Sequence, residues 1–254
     1  MTTTTTSRCS MSATEWLTAD WPAPERVRTL TTSRQGGVSP APFDSLNLGD
    51  HVGDAPENVA ANRALVAQHL PAEPTWLVQV HGSRVVAAET VDSLTDADAS
   101  FTRTANVVCT VMTADCLPIL LCDRAGTVVG AAHAGWRGLC NGVVEATVTA
   151  MRQPGAQLMA WLGPAIGPDA FEVGTEVRDA FMAADPRSAQ AFSMIDDDKY
   201  LADIYLLARL RLAGLGIDEV YGGDCCTVIE RGRFFSYRRD GRTGRMASMI
   251  WLED

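Results

Sequence analysis

Apolar residues fall into short runs broken by Gly, Pro and Asp, and only a few stretches carry a helical period. Val59, Asn62, Val66 and His69 share one side at three- and four-residue spacing, which predicts a helix over 55–70. Asp54 is placed to cap its free N–H groups, Pro56 is tolerated in the first turn, and Glu57 completes a box-like start. Apolar runs predict strands at about 76–80, 84–89, 106–112, 118–122 and 128–133. The last two are joined by Asp-Arg-Ala-Gly-Thr, a hairpin loop. Helices are expected near 139–152, 174–184 and 203–213, the last capped by Asp203. Strands near 157–162, 218–222, 233–238 and 246–252 complete the reading, and GPAIGP is a turn. Hairpins mixed with helices predict an α+β fold of layered mixed sheets, not a doubly wound parallel one.

No internal repeat and no linker divides the chain, so residues 16–254 read as a single domain. The Thr/Ser-rich stretch 1–15 predicts a disordered tail and lacks the apolar centre of a signal peptide. No run approaches a transmembrane span of about 18 apolar residues. A net charge of −10 and a pI near 4.8 repel nucleic acid and anionic membranes. Small anions still have places to bind where arginines gather. Seven cysteines without a C-x-x-C pair or a secretion signal predict reduced thiols and a cytoplasmic location. Cys109, Cys122 and Cys140 lie in apolar stretches and read as inert core residues, and the adjacent Cys225 and Cys226 as free thiols.

Three residues carry the candidate chemistry. His81 ends WLVQV in Q-V-H-G, Cys116 ends NVVCTVMTAD in A-D-C-L-P, and His133 ends VVGAA in H-A-G-W-R-G. Alone, each reads as a core residue. Together, at strand-to-turn junctions, they make a His/His/Cys set suited to zinc or to copper, with a fourth position open as in a catalytic site. Asp98 is either a loop acid or the group orienting a ligand imidazole. Asp115 reads as a turn or capping carboxylate. His51 is open between surface and site, and His69 suits a helix C-terminus. Arg34, Arg137, Arg238, Arg239 and Arg245 recur beside glycines, where guanidinium can grip phosphate or carboxylate. Trp136 offers a stacking face for a base or sugar, or a core packing surface. A second chemistry uses the same residues: Cys116 as a thiolate nucleophile with His133 or His81 as base, giving an amidase or other hydrolase.

Taken in order, TTSRQGGVS, SLNLGDHVGD with NVAANR, QVHG, TADCLPILL, HAGWRG, GPAIGPDAFEVG and FFSYRRDGRTGR resemble the YfiH family, from about Thr31 to Leu252. Its members are called laccase-domain or polyphenol-oxidase-like proteins, and also purine nucleoside phosphorylases. The resemblance implies an α/β/β/α layered fold, similar to that of a group of cysteine hydrolases. It implies that His81, Cys116 and His133 are both metal ligands and catalytic residues. The implied activity is phosphorolysis of adenosine, inosine and methylthioadenosine, with adenosine deamination as a side activity and copper-dependent phenol oxidation ascribed to relatives. Arg34, Asn47, Trp136 and Arg137 are the expected substrate- and phosphate-binding positions. The expected partners are a small nucleoside and phosphate, with the protein a monomer or small homo-oligomer. Four histidines are too few for a mononuclear plus a trinuclear copper site, which argues against a true laccase. The H-x-E and P-C-x-x-C pair of zinc nucleobase deaminases is also missing. A protein that binds a nucleoside without turning it over is the third, blander reading.

Overall fold

In a computed structural model, residues 16–91 and 95–254 are described. The predicted tail over 1–15 lies outside them. The elements run β1 (Val27–Thr31), α1 (Pro56–Ala67), β2 (Val85–Ala87), β3 (Ala99–Thr102), β4 (Cys109–Thr113), β5 (Leu117–Asp123) and β6 (Val129–Ala134). Then come α2 (Trp136–Cys140), α3 (Val143–Met151), β7 (Leu158–Leu162), β8 (Glu172–Gly174), α4 (Thr175–Ala184), β9 (Phe192–Asp196) and β10 (Lys199–Ala202). The last are α5 (Ile204–Gly214), β11 (Glu219–Gly222), α6 (Tyr237–Asp240) and β12 (Met246–Leu252). A six-stranded sheet has the order β11-β7-β5-β6-β3-β2, a three-stranded sheet β1-β12-β4, and a small third sheet β8-β10-β9. The large sheet is mixed: β11 pairs β7 in parallel, as β2 does β3, while β5 is antiparallel to β6 and to β7. This is an α+β fold, as expected; the large sheet is mixed, and the other two are antiparallel throughout.

The period-2 pleat sorts the core into layers. On β5, Leu117, Ile119 and Leu121 face one way and pack with Val144, Val148, Phe181 and Leu207 of the helices α3, α4 and α5. Leu120 and Cys122 face the other way, against Cys109 and Val111 of β4 and Ile250 and Leu252 of β12. The opposite face of that second sheet, through Met112, Met249 and Trp251, packs with Val66 of α1 and with Leu46 and Leu48. Helix, sheet, sheet and helices therefore stack in four layers. Strands β4, β5 and β6 are buried along their whole length, which explains their near-continuous apolar runs.

Several expected elements differ. Residues 76–80 form no strand: Thr75 and Val78 make isolated bridges, and the Gln79 side-chain amide pairs with the Met112 backbone in place of a ladder (Nε2 to O 2.8 Å, Oε1 from N 2.7 Å). The expected strand over 84–89 is only Val85–Ala87. The helix near 139–152 is two helices, because Gly142 at φ 90° breaks it into α2 and α3. Residues 233–238 are not a strand: Phe234, Phe235 and Ser236 are buried in succession, and the chain then turns into α6. Asp54 does not cap α1; the N-cap is Ala55, without a side-chain bond, and Asp54 Oδ2 instead accepts from Ser39 Oγ (2.6 Å) and Asn47 Nδ2 (2.9 Å). Asp203 does cap α5, accepting from Leu206 N at 2.9 Å. β1, β3 and the third sheet were not expected from the sequence. No helix among the described residues is long and apolar enough to cross a membrane.

Candidate active site

His133 lies on β6, Cys116 in the turn between β4 and β5, and His81 in the loop before β2. One buried carboxylate ties two of these segments together. Asp98, fully buried, accepts from the N–H groups of His81 (2.9 Å), Gly82 (2.7 Å) and Val80 (3.2 Å), and bonds His133 Nδ1 at 2.8 Å. Asp98 is thus both loop acid and orienting partner. Its bond to Nδ1 leaves Nε2 of His133 as the ring nitrogen for the site. His81 holds φ 60°, a left-handed conformation rare outside glycine, which the three bonds from its own segment to Asp98 maintain.

The ligating atoms of His81, Cys116 and His133 all lie within 4.8 Å of one another. Cys116 Sγ is 3.7 Å from His81 Nε2, and the two imidazoles meet edge to face, centroids 4.8 Å apart. Tetrahedral zinc, with bonds of about 2.0–2.3 Å, separates its ligands by roughly 3.3–3.8 Å, so the set fits such an ion after a closing movement of about 1 Å. His81 is exposed, Cys116 intermediate and His133 buried, so the cluster is reached from one side. Gly135 lies against this opening: a Cβ there would stand 2.8 Å from His81 Cδ2 and 2.9 Å from Cys116 Sγ, so any side chain would press into the cluster.

Burial opposes ionisation of the Cys116 thiol, yet the charge and hydrogen bond of His133, with help from His81, bring it down to about 6. Burial also opposes protonation of His133, and the Cys116 sulfur and Asp98 outweigh it, raising His133 to about 9. Both shifts run toward the charged forms, thiolate for Cys116 and imidazolium for His133. Burial pushes Cys109 the other way, up to about 12, and raises Cys122 too, as befits inert core thiols. None of the six described cysteines, Cys225 and Cys226 among them, is in a disulfide.

Two compartments meet at Cys116. One, of about 140 Å³, is apolar and lined by Trp136, Ile166, Phe171 and Ile204. The other, of about 340 Å³, is lined by His51, Gln79, Arg245 and the three cluster residues. Ala114, Cys116 and Tyr237 border both. Asp115 shapes this junction: it holds φ 95° and accepts from Thr227 Oγ1 (2.6 Å) and the Arg238 N–H (2.7 Å), which fixes the start of α6 and with it Tyr237. Sequence reasoning missed Tyr237 and Gln79; the only signal for Tyr237 was its place in FFSYRRDGRTGR.

The other expected positions are spread more widely. Trp136 lines the apolar compartment, and Arg137 lies exposed with its guanidinium 4.4 Å from the Trp136 ring. Arg34 lines neither compartment; it donates to the Asp44 carbonyl (2.9 Å) and the Arg231 carbonyl (3.2 Å) and pairs with Asp44 Oδ2 at 3.2 Å. Asn47 is fully buried, and its Oδ1 accepts from the N–H of Arg245 at 3.0 Å, so it positions the arginine that does face the cleft. Arg239 holds the Thr227, Val228 and Phe234 carbonyls, and Arg238 lines the apolar compartment. His69 packs edge-on against Trp16, centroids 4.9 Å apart.

A family profile described as multi-copper polyphenol oxidoreductase laccase matches residues 28–253. A Pseudomonas aeruginosa protein named purine nucleoside phosphorylase is 57% identical over 240 residues, 94% of this chain and 99% of its own. The Escherichia coli protein named purine nucleoside phosphorylase YfiH is 57% identical over 236 residues, 91% of this chain and 96% of its own. The chain belongs to the YfiH family. The fold agrees: the crystal structure of a Neisseria meningitidis DUF152 protein, 57% identical, matches with a TM-score of 0.92 over 94% of this chain and 99% of that one. YlmD from Geobacillus stearothermophilus, 31% identical, matches at 0.87 over 96% and 98%. The laccase description sits poorly on this YfiH-family member's own residues. Among the described residues, His81, Cys116 and His133 form the one metal-capable His/Cys/carboxylate group, and His69 is packed elsewhere.

Proposed function

We propose that this YfiH-family protein is a metal-dependent purine nucleoside phosphorylase. On this reading it converts adenosine, inosine and methylthioadenosine, with phosphate, to free base and ribose 1-phosphate or methylthioribose 1-phosphate. It works on small molecules in the cytoplasm, as a monomer or small homo-oligomer. The observation that carries the reading is the convergence of two imidazoles and a thiol where an apolar compartment meets a polar one. The names of relatives 57% identical across nearly the whole chain support it.

Each compartment suits one part of the substrate. Trp136 and Phe171 offer flat apolar faces to a purine. The ribose then lies beside Cys116, and Arg245 faces the polar compartment where phosphate must approach the anomeric carbon. In the reaction a phosphate oxygen bonds to C1′, the C1′–N9 bond breaks, and the base leaves with the bonding pair and takes up one proton. His81, Cys116 and His133 would hold the metal, zinc by donor set with copper also suited, and it would supply Lewis acidity beside the reacting atoms. Asp98 fixes the tautomer of His133, and Asn47 holds the backbone of Arg245. Among the described residues the Arg245 guanidinium bonds only the Thr243 and Gly244 carbonyls (3.1 and 3.0 Å), which leaves its charge for an anion. Arg34 and Arg137 remain secondary phosphate positions, the first because its guanidinium is already engaged. Arg245→Ala should raise the KM for phosphate by roughly tenfold or more, with a smaller change in the KM for adenosine. An unchanged phosphate KM would remove Arg245 from this role. Adenosine deamination is the side activity of this reading: water adds at purine C6, the C6–N6 bond breaks, and ammonia leaves to give inosine, with the C1′–N9 bond intact.

A second reading has one observation behind it: the thiol held low beside two imidazoles, as in a cysteine hydrolase. In chelator-stripped protein, alkylation of Cys116 should accelerate as pH rises through about 6, where the thiolate forms, while Cys109 stays silent. A half-maximal rate near the ordinary thiol pKa of about 8.5 would overturn that ionisation. Stripped protein that loses turnover supports the metal enzyme; stripped protein that keeps it supports the hydrolase.

A further inference from the structure

The cleft continues past the cluster. Beyond Arg245 lies an outer compartment of about 330 Å³, lined by His51, Tyr237, Arg242, Thr243 and Arg245 among others. His51, Tyr237 and Arg245 line both this space and the polar compartment at Cys116, so the two adjoin. Tyr237 borders all three compartments.

The outer compartment is built for an anion. Arg242 donates to the Gly53 carbonyl at 2.8 Å and lies 5.0 Å over the Phe43 ring, and among the described residues the Arg245 guanidinium bonds only backbone carbonyls. Neither guanidinium has a carboxylate partner among the described residues, whereas Arg34, Arg63 and Arg239 are paired with Asp44, Asp50 and Asp240. Asp50, the acid beside His51 (3.5 Å), is itself held by Arg63 at 3.3 Å. Thr243 is 1% exposed, and its Oγ1 has no hydrogen-bond partner. Both guanidiniums and this unsatisfied buried hydroxyl line one compartment, on a protein of net charge −10.

We propose that this outer compartment binds the 5′-phosphoryl group of a purine nucleoside 5′-monophosphate, so that nucleotides occupy the same cleft as nucleosides. The inference rests on the nucleoside reading above. With the purine against Trp136 and Phe171 and the ribose beside Cys116, the order of compartments becomes base, sugar, 5′-phosphate. Arg242 forms charge-assisted bonds to the phosphoryl oxygens and Thr243 supplies a neutral one, while Arg245, on the wall shared with the polar compartment, serves the attacking phosphate.

Calorimetric titration of the protein as isolated, in phosphate-free buffer, with adenosine, AMP and inorganic phosphate tests this. Wild type should bind AMP at least about tenfold more tightly than adenosine, and Arg242→Gln should reduce that ratio by roughly tenfold. Thr243→Val should reduce it by a smaller factor, which keeps the test meaningful if the first variant folds poorly. Equal affinity for AMP and adenosine in wild type, or a ratio unmoved by both variants, would overturn the inference. So would a site serving free phosphate alone: weaker inorganic phosphate binding in Arg242→Gln, with AMP no better than adenosine. Adenosine binding without an AMP advantage defeats only this inference. Absence of binding by either purine defeats the nucleoside reading as well.

Discussion

Cys116→Ser is expected to lose bound zinc and to lower phosphorolysis by more than about a hundredfold. Losing an outer partner of a metal site already costs about 10–100-fold in affinity or activity, and on the proposed reading Cys116 is a direct donor. The substitution exchanges a thiol that ionises near 6 for a hydroxyl that does not ionise at neutral pH. It removes the one soft donor and leaves two imidazoles, too few to hold zinc firmly. The change is nearly isosteric, so the melting temperature of the stripped variant should stay within a few degrees of stripped wild type. Metal analysis and a ribose 1-phosphate assay on the same preparations decide it. A variant that keeps stoichiometric metal would remove Cys116 from the ligand set.

Asp98→Asn should have the next largest effect, and it acts through two segments at once. One carboxylate receives three backbone N–H groups and an imidazole in a fully buried position. An amide keeps one acceptor oxygen and turns an NH₂ toward the remaining donors. The unsatisfied groups should cost about 1–3 kcal/mol of stability. Metal affinity should fall about 10–100-fold, because His133 loses its orienting partner and the His81 loop loses its anchor. The pH dependence has a definite sign. Burial alone would raise the Asp98 pKa, but bonds from His133, Gly82 and Val80 outweigh it and hold it below the usual carboxylate range. The stabilisation from the ionised group is therefore complete above the unfolded-state pKa of about 3.9 and is lost as pH falls through the lower folded value. The stability gap between wild type and Asp98→Asn, measured by urea unfolding, should narrow below about pH 4. A gap that widens toward acid pH would mean that Asp98 is not held as a carboxylate.

The cluster and much of the frame could be read from residue order because their signals are local. Apolar runs end at Cys116 and His133, and β12 spans the expected 246–252. The β5–β6 hairpin closes where expected, with Asp123 Oδ1 accepting from Thr127 N at 2.6 Å. The failures are of another kind. Phe234 and Phe235 look like strand residues, but the long-range bond from Arg238 N to Asp115 draws the chain into α6. Asp54 and Glu57 match a capping pattern, yet Ser39 and Asn47, distant in sequence, claim the Asp54 carboxylate. β9 is almost wholly exposed, so no apolar alternation announced it. Glycine-flanked arginines look alike in sequence; Arg34 and Arg245 differ only in what folding brings beside their guanidiniums.

Metal content and reaction products, measured together on one preparation supplied with adenosine, test the central claim most directly. The account predicts about one zinc per chain, and adenine with ribose 1-phosphate formed only when phosphate is added. Protein that binds no metal, or that releases no adenine in the presence of phosphate, would contradict it.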